Sequence, residues 1–83
     1  MNEAIMLNIT IYGPGCAKCH ETERRVRHVV EQTGIEAEVR KATDFAEMAK
    51  AGVLMTPGVA VNGVVVSSGR IPDEDEIRAW LAG

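Results

Sequence analysis

The sequence predicts an α/β fold: a four-stranded mixed sheet with three helices, in the order β-α-β-α-β-β-α. Three observations predict it. An apolar run, Ile5 to Tyr12, is followed by the turn Gly13-Pro14-Gly15 and then by apolar residues at helical spacing. A shorter strand pattern and helix pattern follow in the same order. Finally, Asn62-Gly63 lies between two valine-rich runs. A two-residue type I′ hairpin needs positive φ at both central positions, which this dipeptide tolerates best. Two strands joined through a helix should be parallel with a right-handed crossover. The hairpin adds an antiparallel pair.

Each element has its own local cause. Along the first helix, Cys19, Val26, Val29, Val30 and Thr33 share one face, and Glu21, Arg24, Arg25 and His28 fall on the others. Gly34 suits the left-handed C′ position that ends it. Glu36-Ala37-Glu38-Val39-Arg40 alternates polar and apolar, as a strand with one wet face should. Asp44 is placed to cap a short helix, with Glu47 three residues on completing a capping box. Phe45, Met48 and Ala49 form its expected inner face, and Gly52 ends it. Gly58 to Val61 and Val64 to Ser67 are the hairpin strands, the second read as buried or as a sheet edge able to pair with another copy. Asp73 and Glu76 cap the last helix, which buries Ile77, Trp80 and Leu81.

The chain has 83 residues, enough for one domain over 1–83 with a modest core. A hydrophobic content of 46% excludes a disordered chain. The net charge is −3, with one Phe, one Tyr and one Trp, so there is no basic, aromatic-studded surface for nucleic acid. No apolar stretch is long enough to cross a bilayer. Met1-Asn2-Glu3-Ala4 lacks the basic start of a signal peptide. The expectation is a cytoplasmic monomer whose thiols are reduced at rest.

The two cysteines, Cys16 and Cys19, stand as Cys16-Ala17-Lys18-Cys19 where the first strand gives way to the first helix. A sulfur at a helix start meets unpaired backbone N–H groups and the positive end of the dipole. Both favour thiolate over thiol, below the free pKa of roughly 8.5. Helical phase puts Cys19 on the core stripe and leaves Cys16 at the exposed start. An accessible thiolate that attacks a disulfide and a shielded thiol that resolves the mixed disulfide are the requirements of dithiol exchange. Lys18 adds a fixed positive charge within the motif.

These residues carry a resemblance. Gly15-Cys16-Ala17-Lys18-Cys19 after the first strand, Met55-Thr56-Pro57 before the hairpin, Val61-Asn62-Gly63 within it and Ser68-Gly69-Arg70 before the last helix resemble small thioredoxin-fold, redox-active disulfide proteins of the thioredoxin/glutaredoxin-like kind. The resemblance implies a thioredoxin-like fold and thiol–disulfide oxidoreductase activity with no cofactor beyond the Cys16–Cys19 couple. It also implies a protein disulfide as substrate, an external thiol reductase as partner, a cis Pro57 beside the cysteines, and Thr56 offering backbone groups to an extended substrate segment. Three positions depart from better-known thioredoxins. Gly15 stands where an aromatic residue is usual, Ala17-Lys18 replace a proline-containing pair, and Thr10 occupies the place of a buried acid. A threonine hydroxyl takes no proton from Cys19 at neutral pH, so water or another group has to.

Three other readings use the same residues. A soft-metal or metalloid carrier also places two thiolates at a helix start. It does not need Thr56-Pro57, usually carries Met where this chain has Pro14, and ends on a strand rather than an Asp73-capped helix. Cys16-Ala17-Lys18-Cys19-His20 matches the c-type haem signature, but no export signal accompanies it and haem would displace much of so small a core. A non-catalytic adaptor would keep its partners after Cys16→Ser, whereas an exchanger would lose turnover. Asp73 to Glu76 reads as acid at a helix start, and Arg24, Arg25 and Arg27 as a solvated face.

Overall fold

The computed structural model describes residues 6–82; Ile5 and the N-terminal residues before it lie outside that range. Strand β1 (Leu7–Tyr12) is followed by α1 (Ala17–Thr33), β2 (Ala37–Ala42), α2 (Phe45–Ala51), β3 (Gly58–Val61), β4 (Val64–Ser68) and α3 (Glu74–Ala82). This is the predicted order. The sheet runs β2-β1-β3-β4, with β1 parallel to β2 and antiparallel to β3, and β3 antiparallel to β4.

The caps are those that local chemistry calls for. Gly34 and Gly52 end α1 and α2 at φ 72° and 80°, where a Cβ would be strained. Asp44 Oδ1 accepts from the Ala46 N–H at 3.0 Å, while Glu47 turns to Arg40 on β2, 3.5 Å away. Before α3 the box is reciprocal: Glu76 N–H donates to Asp73 Oδ1 at 2.9 Å, and Asp73 N–H to Glu76 Oε1 at 3.2 Å. Asn62, at φ 51°, makes the hairpin turn with Gly63. Its side-chain oxygen also accepts from the Asn8 N–H at 2.9 Å, pinning the turn to the central strand.

Strand alternation builds a core on each face of the sheet. Ile9, Ile11 and Val59 pack with Val26 and Val29 of α1 and with Ile77 and Leu81 of α3. Tyr12, Ala42 and Ala60 pack on the opposite face with Met48 of α2 and Val53. Several side chains settle differently from the sequence expectation. Met48 alone of the α2 trio is buried: Phe45 is 71% exposed and Ala49 also faces solvent. A seven-residue helix presents too narrow a stripe to bury all three. On α1, Thr22 is fully buried and Thr33 is exposed. Thr22 enters the apolar face because its hydroxyl donates to the Lys18 carbonyl one turn back, at 2.8 Å, so no polar atom is left unpaired. Strand β4 is an edge: Val64 is 64% exposed, and Val65 and Val66 are half-buried. Trp80 is likewise half-buried against the core.

Candidate active site

The chain leaves β1 at Tyr12, and Gly15, at φ 95°, swings it into α1. Cys16 is the N-cap residue, with extended φ and ψ of −73° and 171°. Its side chain therefore sits where a serine or aspartate would satisfy a free N–H of the first turn. Its Sγ accepts from the Cys19 N–H at 3.4 Å, and its carbonyl accepts the first helical bond, from the His20 N–H at 3.0 Å. Cys19 lies one turn along, facing inward at 6% exposure, whereas Cys16 is exposed. The two sulfurs are free thiols 2.7 Å apart and share a hydrogen bond.

That geometry drives the two thiols apart. The Cys16 pKa falls below the usual thiol range, chiefly because the Cys19 side chain donates to its thiolate, with further help from the Cys19 backbone N–H. Lys18 contributes to this lowering through its own backbone N–H. The Cys19 pKa rises, first because burial penalises its charged form and second because its proton is held in the bond to Cys16. One sulfur is thus the better thiolate and the other the better proton holder.

Gly13 connects this pair to the segment before β3. A Cβ built there would meet Cys19 Sγ and Cβ and would also lie 3.8 Å from Thr56 Cβ. Thr56 is half-buried, and the Thr56–Pro57 peptide bond is cis. Pro57 is buried, and its carbonyl accepts from the Gly69 N–H at 2.9 Å beyond β4. Just before them, Leu54 and Met55 are 89% and 65% exposed. The four residues singled out from sequence, Cys16, Cys19, Thr56 and Pro57, thus gather at one end of the sheet.

Two comparisons bear on this arrangement. The Thioredoxin domain family matches residues 7–82. The chain belongs to that family. It is 46% identical over 77 residues to a thioredoxin of Methanocaldococcus jannaschii, covering 93% of this chain and 88% of that protein. It is 38% identical over 77 residues to a thioredoxin of Methanothermobacter thermautotrophicus, covering 93% of this chain and all of that protein. Family membership and these relatives make the chain a thiol–disulfide oxidoreductase with a thioredoxin-like fold. They give the soft-metal carrier no support. Among the described residues no group of three or more His, Cys, Asp or Glu side chains is arranged to hold a metal ion. Also among them, no helix is long and apolar enough to cross a membrane.

Sequence reasoning passed over the cavity behind Cys19. It has a volume of about 30 Å³ and is lined by Cys19, His20 and Glu23 of α1, Lys41 and Thr43 at the end of β2, and Ile11, Gly13 and Gly15. Ile11 is the β1 side chain that faces it. Thr10, half-buried, is turned to the other face by strand alternation. Glu23 and Lys41 are distant in sequence, and only the parallel pairing of β1 with β2 beneath α1 brings them together. The one available signal was the spacing of Glu23 four residues after Cys19, which puts both on one side of a helix.

Proposed function

We propose that the chain exchanges protein disulfides, with Cys16 as the attacking thiolate and Cys19 as the resolving thiol. The unequal placing of the two sulfurs carries this reading: Cys16 is exposed at the helix cap and held toward thiolate, while Cys19 is buried 2.7 Å away and held toward thiol. Cys16 attacks a substrate sulfur, a mixed disulfide forms, and the other substrate sulfur leaves as thiolate. Cys19 then attacks Cys16 Sγ, the second substrate sulfur leaves, and the Cys16–Cys19 disulfide closes. An external thiol reductase restores the dithiol.

Thr56 and Pro57 dock the substrate segment beside Cys16. The closeness of Thr56 to the same point of Gly13 that Cys19 packs against supports this, as do the exposed Leu54 and Met55 leading into them. The reaction needs no cofactor, because the electrons reside in the two sulfurs. The proposed setting is a cytoplasmic monomer, where a reducing poise keeps the dithiol ready.

The test is trapping. Cys16→Ser abolishes reduction of a protein disulfide such as insulin, and Cys19→Ser accumulates a covalent adduct through Cys16 that dithiothreitol releases. Equal residual turnover in both variants, with no adduct, would refute the assignment.

A further inference from the structure

The proposed mechanism leaves one step unsupported. Cys19 is buried and holds its proton, yet it must lose that proton to resolve the mixed disulfide. Strand β1 brings no acid or base to it, since Ile11 faces the cavity behind Cys19. Of the acid–base side chains that line that cavity besides Cys19, namely His20, Glu23 and Lys41, Glu23 is the one carboxylate. It lies one helical turn beyond Cys19 on the same side of α1 and lines the same space. Its side chain is only 17% exposed. Arg27 Nε donates to its Oε2 at 2.9 Å, and Lys41 Nζ stands 3.6 Å from its Oε1. Burial works against the Glu23 charge, but Arg27 and Lys41 outweigh it and bring its carboxyl below the usual range. A cavity of this size accommodates a water molecule, enough to bridge a thiol to a carboxylate.

We propose that Glu23 is the proton acceptor for Cys19 in the resolving step, delivered to the site by α1 and fixed there by Lys41 and Arg27. The Cys19 Sγ–Cys16 Sγ bond forms as the bond from Cys16 Sγ to the substrate sulfur breaks. The bonding electron pair leaves with the substrate sulfur as a thiolate. The Cys19 proton passes to the Glu23 carboxylate directly or over a water, and then to solvent. Lys41 balances the Glu23 charge before transfer, so a half-buried carboxylate is tolerated beside a sulfur. His20, exposed to solvent, and Lys41 are the other titratable side chains that line the cavity with Cys19 and Glu23. A carboxylate kept this acidic is a weak base, so its contribution falls at or below the lower end of the general-base range of about 10²–10⁴.

This rests on Cys19 as the resolving thiol, and the experiment separates the two ideas. Reduced protein is mixed rapidly with the aromatic disulfide of thionitrobenzoate. The first release of coloured thiolate reports attack by Cys16, and the second reports resolution by Cys19. With an acceptor in place, the second rate in the parent is nearly independent of pH around neutrality, because burial holds Cys19 toward thiol while Arg27 and Lys41 hold Glu23 toward carboxylate. In Glu23→Gln that rate is about ten- to a hundredfold slower at neutral pH. It also rises about tenfold per pH unit, since only preformed thiolate then attacks. The first release is unchanged. A structural role for Glu23 does not alter that slope. A tenfold-per-unit slope already in the parent overturns the proposal without any variant. So does a Glu23→Gln protein that keeps the plateau. Absence of any second release fails the Cys19 assignment instead.

Discussion

Gly13 is packed against Cys19 so closely that a Cβ at position 13 would overlap the Cys19 sulfur. The contact holds the Cys19 thiol between the end of β1 and its own helix, within reach of Cys16. Gly13 is buried and its φ is not positive, so the requirement is for space rather than backbone freedom.

Gly13→Ala therefore acts through Cys19. The added methyl pushes Sγ away from Cys16 or lifts the first turn of α1. Overpacking of this kind costs about 1–3 kcal/mol, readable in a urea unfolding curve. Cys19 becomes more accessible to alkylation, and mixed disulfide persists longer. Unchanged stability and unchanged Cys19 alkylation would show that the turn absorbs the methyl freely.

Cys16 owes the largest part of its lowered pKa to the Cys19 side chain. Cys19→Ala removes that donor and keeps the backbone N–H. The pH midpoint of Cys16 alkylation should rise, yet remain below that of an unperturbed cysteine, because the cap amide still favours thiolate. A midpoint that does not move would assign the whole effect to the helix terminus.

The features legible in the sequence are those set by neighbouring residues. Gly34, Gly52, the Asn62-Gly63 turn and the Asp73–Glu76 box each depend on a few adjacent φ/ψ values or hydrogen bonds, and each fixes where an element starts or stops. Helical phase separates Cys19 from Cys16 for the same reason. Thr22 was invisible as a core residue because its hydroxyl is silenced by its own helix, which hydropathy does not register. Phe45 misled in the opposite way: an apolar residue at the right spacing still faces water when the helix has one narrow inner stripe. The cavity joining Cys19, Glu23 and Lys41 depends on strand register and on α1 lying across the sheet, and no local pattern encodes that.

Burial separates two large apolar side chains that look alike in sequence. Ile77 is fully buried between α3, α1 and the sheet, and Phe45 is 71% exposed. Ile77→Ala should cost about 2–5 kcal/mol, a large share of the stability of a domain this small. Phe45→Ala should fall within about 0.5 kcal/mol of the parent. Comparable losses for both, measured by denaturant titration, would mean that α2 packs through Phe45 after all.

Glu21 gives the acid side of the stability profile a specific origin. It accepts from Arg24 at 2.8 and 3.0 Å and from Arg25 at 2.7 Å, and hydrogen bonds from these two guanidinium groups bring its pKa down to about 2. Arg25 also donates to the Pro72 carbonyl at 3.0 Å, tying α1 to the entry of α3. A carboxyl whose pKa is lower folded than unfolded stabilises the fold above its unfolded value. It loses that contribution as pH falls through the folded value. The window for Glu21 therefore runs from just above its unfolded pKa of roughly 4.3 down to about 2. Glu23 and Glu76 are shifted in the same direction, so Glu21→Gln should flatten the acid limb without abolishing it. The effect is modest because the pair is exposed to solvent. Thermal unfolding across that window provides the check: the Gln variant should lose less Tm on acidification than the parent. Parallel curves would mean that Arg24 and Arg25 pair with Glu21 as closely in the unfolded chain as in the folded one.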